Sequence, residues 1–315
     1  MIFDNRVTRD LGVPIPILSA PMGWVARAEL VAAVSNAGGM GLVPGSLAPD
    51  IVREEIRRTR DLTDRPFGVN VPLLFAKDPR VVEMIIEEGI RFVTTSAGSP
   101  AKLTPVFKEA GLVVYHVVPS LTAALKAVAA GVDGLVVEGN EGAGFKNPRE
   151  VSTTVLVPLV ASRVDVPVIA AGGVVDGRSL ASVFALGAEG AQMGTRMLAS
   201  AESAVHDNLK AAVVAATETD TLLINRAVGR PMRVLRTELS TRLETALAGE
   251  PDSDVATWLA EVTTLYYGGE IEASLAQLGQ VAGRIDEILP VAEIFERTLT
   301  EFRDVAKDLA SLAGS

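Results

Sequence analysis

An α/β fold, a (β/α)8 TIM barrel with a C-terminal helical cap, is what this chain of 315 residues predicts. Three observations carry that expectation. Eight short apolar runs recur, each followed by a turn signal and a helix-length segment, the pattern of βαβ units around a parallel sheet. The alternation stops after Arg196 and gives way to a long extension. Within Val166–Arg196, VPVIAAGGVVDGRSLASVFALGAEGAQMGTR, two strand-like runs lie one helix apart and end in Gly172-Gly173 and Met193-Gly194-Thr195-Arg196. In a barrel the loops after strands seven and eight commonly build a phosphate site. Glycines let backbone N–H groups approach phosphate oxygens closely, and a helix N-terminus adds a favourable dipole.

The expected strands are Ile15–Ser19, Gly41–Val43, Phe67–Val71, Phe92–Thr95, Val113–Val118, Gly134–Val137, Val168–Ala170 and Gly190–Met193. Ala-rich amphipathic helices fill the gaps, among them Ala28–Ala37, Val81–Glu88, Leu121–Ala130 and Ser179–Leu186. Ala201–Thr217 reads as the eighth helix. Thr219–Thr241 reads as irregular, turning at Gly229-Arg230-Pro231. Leu243–Thr264 and Ile271–Ile288 read as helices separated by Tyr266-Tyr267-Gly268-Gly269, and Val291–Leu312 as a final amphipathic helix. The expected division puts 1–217 and 290–315 in the barrel and 218–289 in a mostly helical cap over its C-terminal mouth.

Composition narrows the functional classes. The chain has no cysteine, which removes disulfides, thiolate metal sites and cysteine nucleophiles. Two histidines are too few for a histidine-rich metal centre, so no metal is expected. A net charge of −10 argues against a general nucleic-acid binder. No apolar run reaches the roughly 18–20 residues that span a bilayer. Met1–Asp10 lacks an apolar leader core. A cytoplasmic protein acting on a small molecule is therefore expected, and the last helix offers a surface for a homodimer.

Barrel chemistry sits at strand C-termini. There the chain offers Ala20-Pro21-Met22-Gly23, then Pro44-Gly45-Ser46, then Asn70, Ser96-Ala97-Gly98, His116 within the fifth strand, and Glu138 followed by Gly142-Ala143-Gly144-Phe145. The seventh and eighth strands add Gly172, Gly173, Gln192, Gly194 and Thr195. This mouth has no Ser-His-Asp order and no tight acid/base pair. It suits a cofactor that carries the chemistry while the protein supplies position and electrostatics. Flavin mononucleotide (FMN) fits, with its phosphate on the glycines and its ring in an apolar slot.

These segments together resemble the nitronate monooxygenase (2-nitropropane dioxygenase-like) family, which shares its fold with the barrel-type flavin-dependent enoyl-ACP reductase. The likeness runs through PILSAPMGWVARAELVAAVSNAGGMG, GVNVP, GVDGLVVEGNEGAG, the Val166–Arg196 stretch and YYGGEIEASLAQLGQVAGRIDEILPVAEI. It implies FMN, with Met22 near the ring and Asn70 bonding the cofactor. It further implies that Gly142, Ala143 and Gly144 line the cofactor, and that Gly172, Gly173, Gly194 and Thr195 hold its phosphate. Ala20, Pro21, Gly23, Glu138 and Gln192 complete the expected cofactor set.

One departure matters. The family's strand-six loop usually ends in histidine, in a pattern like E-A-G-G-H, and here the position is Phe145. Phenylalanine cannot take a proton, so either substrates arrive as anions such as nitronates, or the chemistry has moved to acyl thioesters. His116, Tyr266 and Lys146 are the candidate acid/base groups. Each has a plainer reading: His116 as a structural strand residue, Tyr266 beside Tyr267 as cap packing, Lys146 beside Glu141 as a solvated loop charge. His206 reads as helix surface or as a contact with the cap. Arg226, Arg230, Arg233 and Arg236 read either as a solvated loop or as an anion-binding rim. The first activity implied is oxidation of alkyl nitronates with O2. The alternatives are an enoyl-thioester reductase or dehydrogenase with NAD(P)H as co-substrate, and a flavin-binding protein without turnover.

Overall fold

The computed structural model describes residues 3–74, 78–227, 229–246, 266–312 and 314. Eight parallel strands form a ring: Ile17–Ser19, Gly41–Pro44, Phe67–Pro72, Phe92–Ser96, Val113–Val118, Gly134–Glu138, Val168–Ala171 and Gly190–Met193. The first pairs with the eighth through Ile17 and Ala191. The ring closes where Met40, just ahead of the second strand, bridges to Leu18. All eight expected strands are present to within two residues. They were legible because a parallel strand covered on both faces reads as an unbroken apolar run.

Two apolar layers result from the alternation of side chains along each strand. Leu18, Leu42, Phe92, Tyr115, Val136 and Ile169 fill the barrel interior. Val7 and Leu11 join them from the helix Arg6–Leu11, whose Asp10 accepts a hydrogen bond from the Tyr115 hydroxyl (2.8 Å). Val69, Val93, Val114, Val118, Leu135 and Val137 face outward and pack under the surrounding helices. One end of the barrel is therefore sealed, and chemistry is confined to the other. Among the described residues no helix is long and apolar enough to cross a membrane.

The extension departs from expectation in three places. First, Ala201–Thr217 is not the eighth helix of the ring. Only Asp207–Ala215 is helical, and it packs with Leu278, Ala282 and Ile285. The eighth position is taken by Val291–Leu312, which lies against the helices Gly177–Ala185 and Ala28–Asn36. Second, the stretch 219–241 is not irregular. Thr221–Ile224 and Met232–Leu235 form an antiparallel pair, and Met232–Leu235 also pairs with the two-residue strand Gly144–Phe145 of the strand-six loop. Leu222, Ile224, Met232 and Val234 bury against Leu239, Leu243 and Leu275, which pins this small sheet. Third, Ile271–Ile288 is extended apart from two 3-10 turns, Ile271–Ala273 and Gln280–Arg284. The amides of Gly279 and Gln280 bond the barrel mouth rather than a preceding helical turn. A helix Glu238–Ala246 opens the next segment, and most of the expected helix Leu243–Thr264 lies outside the described residues.

The last helix depends on a close approach. A Cβ at Gly177 would stand 2.3 Å from the Phe302 nitrogen and 2.4 Å from the Thr298 carbonyl oxygen, both backbone atoms. Gly177→Ala is expected to destabilise the protein by about 2–3 kcal/mol, since neither helix can yield locally. Hydrogen exchange should rise first in Val291–Leu312. Gly131→Ala, in open space with φ +84°, should cost only about 1 kcal/mol. Equal losses in denaturant melts, with unchanged exchange in the last helix, would contradict this packing.

Candidate active site

The C-terminal ends of the strands surround a mouth whose residues are accessible where the strands below them are not. Ala20, Pro21, Met22, Gly23, Gly142, Ala143, Gly172, Gly173 and Gly194 are half-buried there. Gly172 and Gly173 take φ of +87° and +81°, a left-handed geometry that glycine adopts without strain. Gly194 precedes the short helix Thr195–Leu198. Among the described residues, the amides of Gly173, Gly194 and Thr195 meet no acceptor. Two adjacent strand ends thus present unpaired donors to one region. The longer helix Gly177–Ala185 does not contribute, because Asp176 caps Ser179 (2.9 Å) and Glu301 takes the Gly177 amide (2.9 Å).

The strand-six loop is clamped over this region. The Glu141 carboxylate accepts from the Thr153 amide (3.0 Å), and the Thr153 hydroxyl lies 2.9 Å from Glu141 and 2.8 Å from the Gly172 carbonyl. From the extension, Gln280 donates to the Glu141 carbonyl (3.0 Å) and Gly279 to the Thr195 hydroxyl (2.9 Å). Glu141, expected only as a solvated charge, is therefore the clasp of the loop. Thr153, Gly279 and Gln280 were missed altogether. The local signal was a Ser-Thr-Thr helix start, and nothing local indicates a bond across twelve residues to Glu141.

Polar groups line the interior face of the mouth. Asn70 is buried, and its amide nitrogen lies 3.0 Å from the Thr94 hydroxyl and 3.3 Å from the Ser96 hydroxyl. Gln192 shares its strand face with Gly190, opposite the outward Ala191 and Met193, and its Oε1 is buried with no hydrogen-bond partner. Such an orphaned acceptor normally marks an absent partner. On the first loop the Met22 amide is taken by the Ala20 carbonyl (2.9 Å). Trp24 is held at φ +64°, rare for an aromatic residue, and its carbonyl accepts from the Tyr267 hydroxyl.

The acid/base candidates separate clearly. His116 lies on the same strand face as Val114 and Val118, outside the barrel, and its Nδ1 is 2.7 Å from the Thr95 hydroxyl. Tyr266 is buried in the cap cluster, where its hydroxyl accepts from the Gln277 amide (3.0 Å) and burial pushes its pKa up to about 12. His206 caps the helix Asp207–Ala215 through Nδ1 (3.1 Å to the Asn208 amide). Lys146 alone of the candidates sits at the mouth, its ammonium bonded to Glu138. Phe145, beside it, is 42% exposed. Of the four arginines, Arg233 is buried, donating to the Asn140 carbonyl (3.0 Å) and the Thr221 hydroxyl (3.1 Å), and Arg226 pairs with Glu150 (2.6 Å). Arg230 and Arg236 are exposed. The rim of four does not assemble, because the strand Met232–Leu235 turns Arg233 inward.

With this geometry in view, comparison with known proteins is decisive at the family level. The pattern of the nitronate monooxygenase family matches residues 5–301. The chain belongs to the nitronate monooxygenase family. Its members and relatives here are oxidoreductases. A nitronate monooxygenase of Paraburkholderia phytofirmans is 31% identical over 290 residues, covering 77% of this chain and 78% of that protein. A (3aS,4S,5R,7aS)-5-hydroxy-7a-methyl-1-oxo-octahydro-1H-indene-4-carboxyl-CoA dehydrogenase of Rhodococcus jostii is 39% identical over 241 residues, 76% of this chain and 68% of that one. Among solved structures, FabK from Thermotoga maritima superposes with a TM-score of 0.95 at 40% identity, covering 98% and 99% of the two chains.

His116 makes the stability of the fold depend on pH. Burial pushes its pKa down to about 4, against 6.5 for the free group, so the folded ring resists protonation. Between those values the unfolded chain binds a proton that the folded chain does not. Stability is therefore full above pH 6.5 and falls on acidification, by about 3 kcal/mol once pH reaches 4. Denaturant melts of the native protein and His116→Gln should differ in acid slope by that amount. Parallel slopes would place His116 in contact with solvent instead.

Proposed function

We propose that this protein is an FMN-dependent oxidoreductase of acyl thioesters that exchanges reducing equivalents with NAD(P)H. The observation that carries this reading is Phe145. A half-exposed aromatic ring stands at the lip of the mouth, on a strand pinned to Met232, where the family pattern has a proton-accepting histidine. An apolar ring there favours an apolar acyl chain and gives nothing to a substrate that must be deprotonated. The carboxyl-CoA dehydrogenase and FabK likenesses support the same choice. Nitronate oxidation with O2 is the second reading, favoured by the family match over residues 5–301.

FMN bound at the mouth would supply the two-electron redox chemistry. The residues present fit it. The free amides of Gly173, Gly194 and Thr195, with Gly172, suit the phosphate. Gln192 offers its unpartnered Oε1 and Asn70 an amide oriented by Thr94 and Ser96. Ala20, Pro21, Met22 and Gly23 form one wall of the ring slot, and Gly142, Ala143 and Gly144 the other. Without bulky side chains, the second wall lets the backbone come close. The described residues between 218 and 289 act as the substrate-side cap, and Phe145 packs on the acyl chain and keeps water from the reacting carbons.

Anaerobic mixing tests this. NAD(P)H should bleach the FMN-loaded protein, and a 2-enoyl-CoA should restore the colour without oxygen. Phe145→His should lower kcat/KM for the thioester about tenfold while changing alkyl nitronate oxidation less. Bleaching by a nitronate, reversed only by air in protein inert to enoyl-CoA, would establish the second reading instead.

A further inference from the structure

Reduction of an enoyl thioester needs a proton donor at the mouth, and the residues first suited to that role lie elsewhere. His116 faces outward and the Tyr266 hydroxyl is enclosed by the cap. Lys146 is differently placed. Its amide donates to the Pro231 carbonyl (2.8 Å), which fixes the backbone beside Phe145. Its side chain is only 3% exposed, and the ammonium bonds Glu138, which ends the sixth strand and is 26% exposed. A buried cation of this kind is costly unless it is held by a partner, and Glu138 is that partner.

At position 142 no side chain comes between the pair and the glycine loop. A Cβ at position 142 would stand 2.8 Å from Glu138 Oε1 and 3.0 Å from Lys146 Nζ, so any residue but glycine would crowd onto both atoms. On the other side, Glu138, Lys146 and Phe145 line one small cleft with Pro119, Asn147 and Glu150. The ammonium thus stands between the glycine loop expected to line the cofactor and a cleft that reaches solvent.

We propose that Lys146 is the catalytic acid of this site, with Glu138 as its positioning residue. The proposal rests on the thioester reading above. When hydride equivalents drawn from NAD(P)H reach Cβ of the enoyl thioester, the π pair moves to Cα. There it forms a C–H bond with a proton from Nζ, leaving a neutral amine. The amine regains a proton from solvent through the cleft beside Glu138. The sum is enoyl thioester plus NAD(P)H plus H+ giving acyl thioester plus NAD(P)+. In the dehydrogenase direction the neutral amine removes the Cα proton.

The absence of native cysteine allows a clean chemical test. Lys146→Cys in the FMN-loaded protein should lower kcat by about 100-fold or more, with FMN affinity little changed. Alkylation with 2-bromoethylamine rebuilds an ammonium at that one position and should restore most of the rate, with the basic limb of the pH profile moved to lower pH. In D2O the native and alkylated proteins should deliver deuterium to one face of Cα, and the Lys146→Cys protein to both. Lys146→Arg keeps the charge and the Glu138 bond but cannot release its proton. It should stay slow, and it carries the test if the cysteine variant fails to fold. An active Lys146→Arg or Lys146→Cys protein, or no rescue on alkylation, would overturn the proposal. Native protein inert to every enoyl thioester would instead sink the reading on which it rests.

Discussion

Two consecutive left-handed glycines at the end of the seventh strand are the constraint on which the mouth depends. Gly172 and Gly173 turn the chain so that it leaves the barrel without a side chain over the opening. The Thr153 hydroxyl reaches the Gly172 carbonyl, and through the same residue Glu141 ties down the strand-six loop. The cap then bonds to Glu141 through Gln280 and to Thr195 through Gly279. Loosening the Gly172 turn would release its bond to Thr153 and slacken the strand-six loop on which Gln280 of the cap rests. A site held this way is set in place before a ligand arrives, which lowers the ordering cost of binding.

The extension serves the barrel in two separate ways. Val291–Leu312 completes the outer helical ring, and its close contact at Gly177 gives that packing no slack. The strands Thr221–Ile224 and Met232–Leu235 work at the mouth, where they extend into Gly144–Phe145 and fix the backbone of Phe145 at the lip. The same pairing sets the backbone of Lys146 through Pro231. The substituted loop is therefore braced from the cap and from the barrel at once. An aromatic residue and a lysine hold defined positions there instead of a mobile loop tip.

The barrel was legible in the chain and the small sheet was not, for a physical reason. Strands buried on both faces leave a run of apolar residues that needs no context to read. The strand Met232–Leu235 carries Arg233, buried but satisfied by Asn140 and Thr221, and with Arg226, Arg230 and Arg236 around it so short a run reads as a charged loop. Residues such as Gly173, Gly194 and Gln192 could be placed at the mouth from the chain alone because strand ends are marked by composition. Glu141 and Thr153 escaped because their role is a bond between loops. His116 was ambiguous along the strand until its outward neighbours, Val114 and Val118, fixed its side.

Every step from family to chemistry passes through one claim, that the glycine amides of the seventh and eighth strand ends hold a phosphate. The direct test compares FMN with riboflavin, which lacks only that group, by fluorescence titration of the native protein and Gly173→Ala. Native protein should prefer FMN by about 100-fold or more. Gly173→Ala, strained at φ +81°, should lose most of that preference while still binding riboflavin as before. Equal affinity for the two flavins in the native protein would contradict the phosphate site and the reading built on it.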